Sequence, residues 1–159
     1  MNKLGLPNHK DLDIEKQLVN FKLNIIDETF TFNREMMDFV YLKRLNKFLF
    51  SDLYYEFQSG TRIMNNEERK KVDDMLLNIL EICLYEPENI EAILNIIKKL
   101  WKLQLFYEGN TRTLFAYLKI LNSAFSLGLN IDPNIEIDSK SSFFNIANFV
   151  NQKRLTKTK

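Results

Sequence analysis

The residues with the most chemical content form one short stretch, Phe106-Tyr107-Glu108-Gly109-Asn110-Thr111-Arg112, between two long apolar helical patterns. Gly109 permits backbone angles closed to other residues. A helix that opens at this point presents the amides of Gly109, Asn110 and Thr111 at its N-terminus. Orphan N–H groups and the helix dipole make such a position attractive to anions, phosphate above all. Arg112, in the first turn, can pair with phosphate bidentately. The dipole disfavours a cation there, and a bound anion offsets that conflict. Glu108, beside the turn, can hold a hard cation such as Mg²⁺ that also binds phosphate oxygens. Together these residues describe a nucleotide-phosphate site. The same spacing also fits a plain corner between helices. Gly109 is then a turn glycine, Asn110 an N-cap, and Glu108 and Arg112 a surface ion pair one helical turn apart.

Other reactive side chains are few. The single cysteine, Cys83, lies in an apolar helical pattern and reads as a small core residue. The single histidine, His9, stands near the start of the chain. One cysteine excludes a disulfide framework and suits a reducing compartment. A net charge of +1 gives no general attraction to nucleic acid or to a membrane surface. No run approaches ~18 apolar residues, and the start lacks the apolar run of a signal peptide. The expected location is the cytoplasm.

The elements that must position the site are helical. The chain has 159 residues, 45% of them hydrophobic and 27% charged, which fits one globular domain. Three prolines and four glycines leave few breakers. Residues 1–10 read as a flexible start, 11–155 as the domain and 156–159 as the end of a basic tail. A first helix is expected from Asp11 to about Thr29, with Ile14, Leu18, Phe21 and Ile25 inward. Asn33 is expected to cap a second, with Val40, Tyr41, Leu45, Phe48 and Leu49 on its faces. Ser51 to Phe57 extends it or starts a short new helix. A third runs from Asn66 to Tyr85, with Val72, Met75, Leu76, Ile79, Leu80 and Cys83 inward. Pro87 fits the first turn of a fourth, about Glu88 to Phe106. Its stripe of Ile90, Ile93, Leu94, Ile97, Leu100 and Trp101 continues to Gln104, which places Gln104 toward the interior or a cleft. A fifth runs from about Asn110 to Leu127 and is stopped by Gly128. A last helix is expected over Ser141 to Arg154. Asn130 to Ile137 is a weak candidate for extended chain. The fold class is all-α, a single domain of about six helices.

The motif resembles the signature of the Fic (Fic/Doc) family, His-x-Phe-x-(Asp/Glu)-Gly-Asn-Gly-Arg-x-x-Arg. Phe106, Glu108, Gly109, Asn110 and Arg112 match it, and Thr111 replaces a glycine. The segment from Leu42 to Phe50, followed by Gly60-Thr61-Arg62, looks like the family's earlier block, in the right order. The resemblance covers roughly residues 40 to 132. It implies a helical core, carrying a short β-hairpin flap, that binds ATP and Mg²⁺ and transfers AMP to a hydroxyl of a protein target in a bacterial cytoplasm. By position, Glu108 would hold Mg²⁺, and Gly109, Asn110 and Thr111 would line the anion hole. Arg112 would pair with phosphate and Phe106 would anchor the loop.

The departures lie at the chemistry. The family's general-base histidine maps to Gln104, a neutral amide with no basicity near pH 7. The second arginine maps to Phe115, and Leu105 stands for the usual proline. Thr31-Phe32-Asn33-Arg34-Glu35-Met36 fits the family's inhibitory pattern only in part and reads as a helix start. Three functions follow. The first is a degenerate member that keeps its nucleotide site and transfers weakly. The second is an active transferase with altered chemistry, for which Glu56 or Glu108 could serve as base. The third is a ligand-free helical interaction or regulatory module. A homo-oligomer stays open.

Overall fold

The structure is a computed structural model that describes residues 17–19, 21–26, 30, 38–51, 61–107 and 109–129. The fold is all-α. Four helices have defined bounds: α1 (Phe39–Phe50), α2 (Asn66–Tyr85), α3 (Ile90–Lys102) and α4 (Asn110–Phe125). Residues 17–19 and 21–26 are also helical. Among the described residues there is no strand and no hairpin flap, only an isolated antiparallel bridge between Thr61 and Phe106. The expected helices at Ser141 to Arg154 and Ser51 to Phe57, and the stretch Asn130 to Ile137, lie outside the described residues except for Ser51. So do the partial inhibitory pattern, both termini, His9 and Glu56.

α4 is the central element. It packs against α1, α2 and α3. Every residue from Thr113 to Leu118 is buried, as are Ile120 and Leu121. A helix apolar on nearly all sides belongs inside, with the others wrapped around it. One polar pair crosses this interior: Asn46 Nδ2 on α1 donates to Thr113 Oγ1 at 3.1 Å, with both residues at most 1% exposed. That bond lies one turn into α4 and fixes how its first turn meets α1.

α1, α2 and α3 each start where a side chain satisfies one of the first amides. Asp38 accepts from the Val40 amide at 3.0 Å and caps α1 at Phe39; Asn33, the expected cap, lies outside the described residues. Asp73 of α2 accepts from the Phe39 amide at 3.0 Å, tying the two helices at that end. Ser51 is the C-cap of α1 and ends it. α2 has the expected bounds, with Asn65 accepting from the Glu68 amide at 2.8 Å. Asn89 caps α3 at 3.4 Å, so Pro87 lies in the turn ahead of the helix. α4 stops at Phe125, two residues earlier than expected, because Ser126 takes the left-handed conformation ahead of Gly128.

The face of the first helical stretch also differs from expectation. Val19, Leu23 and Ile26 are fully buried, whereas Phe21 is 63% exposed. Both stripes are apolar at helical spacing in the sequence, and tertiary contacts choose between them. Lys22 takes part: its Nζ donates to the Phe48 carbonyl at 2.7 Å and lies 5.3 Å from the Phe48 ring centre. In α1, Val40 is exposed, while Leu42 and Asn46 are buried.

The interior also sets the alkaline limit of stability. Burial pushes the Cys83 thiol from 9.0 up to about 12 and the Tyr41 phenol from 10.0 up to about 12. Burial, then Cys83 and Tyr41, hold Tyr117 well above 10.0. The unfolded chain gives up these protons first as pH rises. Their contribution is therefore full below about pH 9 and is lost between there and about pH 12. Melting temperature should fall progressively above pH 9, with a slope of up to ~1.4 kcal/mol per pH unit for each group. A flat profile to pH 11 would contradict this account of the core.

Candidate functional site

The site is the turn between α3 and α4, at the N-terminus of the most buried helix. α3 ends at Lys102, short of the expected Phe106. Leu103 donates back to the Leu100 carbonyl at 3.2 Å, and Gln104 to the Trp101 carbonyl at 3.1 Å. Gln104 then takes a left-handed backbone with φ 48°. This turns the chain off the helical axis. Gln104 is consequently exposed, and the expectation that the α3 stripe carries it inward is corrected. Leu105 and Phe106 are the residues that turn inward, at 2% and 5% exposure. Phe106 stacks on Phe39 with ring centres 5.9 Å apart, which is the anchoring role expected of it.

Two backbones run side by side here. Arg62 donates its amide to the Leu105 carbonyl at 2.9 Å, next to the Thr61–Phe106 bridge. On the other side Asn110 reaches back from the first residue of α4. Its Oδ1 accepts from the Phe106 amide at 2.9 Å, and its Nδ2 donates to the Phe106 carbonyl at 2.9 Å. The same Nδ2 donates to Gln104 Oε1 at 3.1 Å, and Gln104 Nε2 donates to the Trp101 carbonyl at 2.8 Å. Asn110 is therefore not the N-cap of its helix. Its side chain closes the loop, and Gln104 braces it.

Gly109 is the N-cap, in the left-handed region with φ 80° and ψ 25°. A Cβ at this position would overlap the Phe50 ring, so glycine is required twice, for its angles and for its missing side chain. The first amide to bond within α4 is that of Thr113, which donates to the Gly109 carbonyl at 2.9 Å. The amides of Asn110 and Thr111 have no carbonyl ahead of them in the helix, and no side chain caps α4. Thr111 Oγ1 accepts from Trp101 Nε1 at 2.9 Å, which ties the last turn of α3 to the first turn of α4. Arg112 is half-buried in that first turn. Phe115, which the resemblance sets at the place of a second arginine, is 1% exposed and belongs to the core.

The structure thus brings Gln104, Gly109, Asn110, Thr111 and Arg112 into one turn. Glu108 lies outside the described residues. Among the described residues no three His, Cys, Asp or Glu side chains gather to hold a metal. The sequence reading missed Phe50, Trp101 as a partner of Thr111, and the Asn46–Thr113 pair. These are contacts between distant segments, and no local pattern announces them. The chain matches no family model, no curated protein and no solved structure. Among the described residues no helix is long and apolar enough to cross a membrane.

Gly109→Ala tests the turn directly. The left-handed angles alone cost about 1–3 kcal/mol, and displacing the Phe50 ring costs about as much again. Urea denaturation should show a loss of at least ~1 kcal/mol. An unchanged midpoint would mean that the chain does not adopt this turn.

Proposed function

We propose that this chain is a nucleotide-phosphate-binding module on a Fic-like helical scaffold that transfers AMP weakly or not at all. The observation that carries the reading is the start of α4. A left-handed glycine opens the helix, no side chain caps it, and an arginine occupies its first turn. The free helix end and the guanidinium both favour the same ligand charge. In this reading the amides from Gly109 to Thr111 hold one phosphate group of ATP and Arg112 pairs with it. Glu108 would hold the accompanying Mg²⁺, which would screen phosphate charge.

Weak transfer follows from Gln104. Its amide has no basic lone pair, and both of its ends are engaged, with Trp101 and with Asn110. It braces the loop and does not wait for a target hydroxyl. A nearby general base typically contributes ~10²–10⁴ in rate, which this turn forgoes. A second reading, a ligand-free interaction module, is favoured by one observation. The side chains of Asn110 and Thr111 already serve the turn's own bonding, so their presence needs no ligand to explain it.

Thermal unfolding separates the two. ATP with Mg²⁺ at ~100 times the dissociation constant should add about 2.7 kcal/mol. That corresponds to roughly 5–10 °C in melting temperature for a domain of this size. Arg112→Ala should abolish the shift. No shift at millimolar ligand would leave the interaction module. Gln104→His tests the missing base: transfer of AMP to a protein hydroxyl should rise by about 10²-fold or more. Rapid transfer by the unaltered chain would contradict the assignment of Gln104.

A further inference from the structure

The bonding around Arg62 extends the account of the turn to a different part of the chain. Arg62 lies on the segment that precedes α2, more than forty residues before the turn in sequence. Its Nε donates to the Leu103 carbonyl at 3.0 Å, at the end of α3. Its terminal nitrogens donate to Glu68 Oε2 at 2.9 Å and to the Ile63 carbonyl at 3.3 Å. Its backbone amide donates to the Leu105 carbonyl at 2.9 Å. One residue therefore grips the chain on both sides of Gln104. The grip is itself fixed, because Glu68 stands in the first turn of α2 and its amide is capped by Asn65 at 2.8 Å. The side chains are partly exposed, at 30% for Arg62 and 43% for Glu68, so the pair's value lies in geometry more than in bare attraction.

The location is favourable for a cation. The last carbonyls of a helix carry its negative end and lack partners within it. A guanidinium can serve several acceptors at once through separate, coplanar N–H groups, which an ammonium on a flexible stem cannot reproduce. From Leu105 the chain passes to Phe106, whose amide and carbonyl both bond to the Asn110 side chain. A shift of Leu103 to Phe106 would therefore carry Asn110, and with it the first amides of α4. The path from Arg62 to the start of α4 is a short series of hydrogen bonds with no long flexible link.

We propose that Arg62, held by Glu68, is a positioning residue for the phosphate-binding turn. It touches no ligand. It fixes the backbone of Leu103 to Phe106 and so sets the direction of the α4 amides that would receive phosphate. This inference rests on the nucleotide-phosphate reading of the site.

The test uses the full chain with Arg62→Gln, Arg62→Lys and Glu68→Gln beside the unaltered protein. Two quantities are read: amide hydrogen exchange over residues 103–110, and affinity for ATP with Mg²⁺ followed by fluorescence of Trp101, the single tryptophan. In Arg62→Gln, exchange over 103–110 should quicken about tenfold or more while the cores of α1 and α4 stay slow. ATP should bind about tenfold more weakly. Glu68→Gln should show a smaller change of the same kind. Arg62→Lys should recover part of the affinity, since one amine can serve Leu103 or Glu68 in turn. Uniformly faster exchange along the whole chain would overturn the proposal and make Arg62 a residue of general stability. Equal ATP affinity in Arg62→Gln and the unaltered protein would also overturn it while leaving the nucleotide reading in place. If the unaltered protein binds no ATP, the nucleotide reading itself fails and this inference falls with it.

Discussion

The ring of Phe50 lies where a side chain at position 109 would have to sit. This close approach of ring to backbone sets where α4 can begin relative to the end of α1. Because Gly109 is also left-handed, the chain reverses there and enters the helix with no cap of its own. The Asn46–Thr113 bond then repeats the α1–α4 contact one turn further in, inside the core. A helix fixed in this way along a buried flank has little freedom at its first turn. Preorganised amides at a helix end are what an anion site requires, since binding then orders nothing further.

The turn that leads to Gly109 is built from the loose ends of two helices. α3 finishes in a left-handed glutamine, a conformation that costs a non-glycine residue on the order of 1 kcal/mol. Two side-chain hydrogen bonds accompany that strain: Gln104 Nε2 donates to the Trp101 carbonyl, and Gln104 Oε1 accepts from Asn110 Nδ2. Asn110 completes the closure by treating the Phe106 peptide as a strand partner would, with one bond to its amide and one to its carbonyl. The residue at the position of the expected base has therefore become part of the frame. On the proposed reading, the turn binds phosphate and offers no group to accept a proton. Trp101 joins the two helices across the same corner through Thr111, which gives Thr111 a local structural use.

Much of this was legible in the sequence, and the exceptions have physical causes. The all-α class and the extent of α2 followed from the periodicity of the apolar residues. The turn at Gly109 was legible because a glycine between two apolar helical patterns has few other uses. The end of α3 was not. Helical spacing continued through Gln104, and only glycine or asparagine usually marks a left-handed stop. The orientation of the first helical stretch was ambiguous because two apolar stripes compete within it, and only packing decides. The roles of Phe50, Asn46 and Glu68 depend on residues far away in sequence, which no window of local pattern can hold.

On the reading proposed above, the first turn of α4 is a preformed phosphate site. Amide chemical shifts recorded during titration with ATP and Mg²⁺ test it residue by residue. The largest shifts should fall on the amides of Gly109, Asn110 and Thr111 and on the indole N–H of Trp101, saturating together. Shifts confined to other surfaces, or no shifts at millimolar ATP, would contradict it.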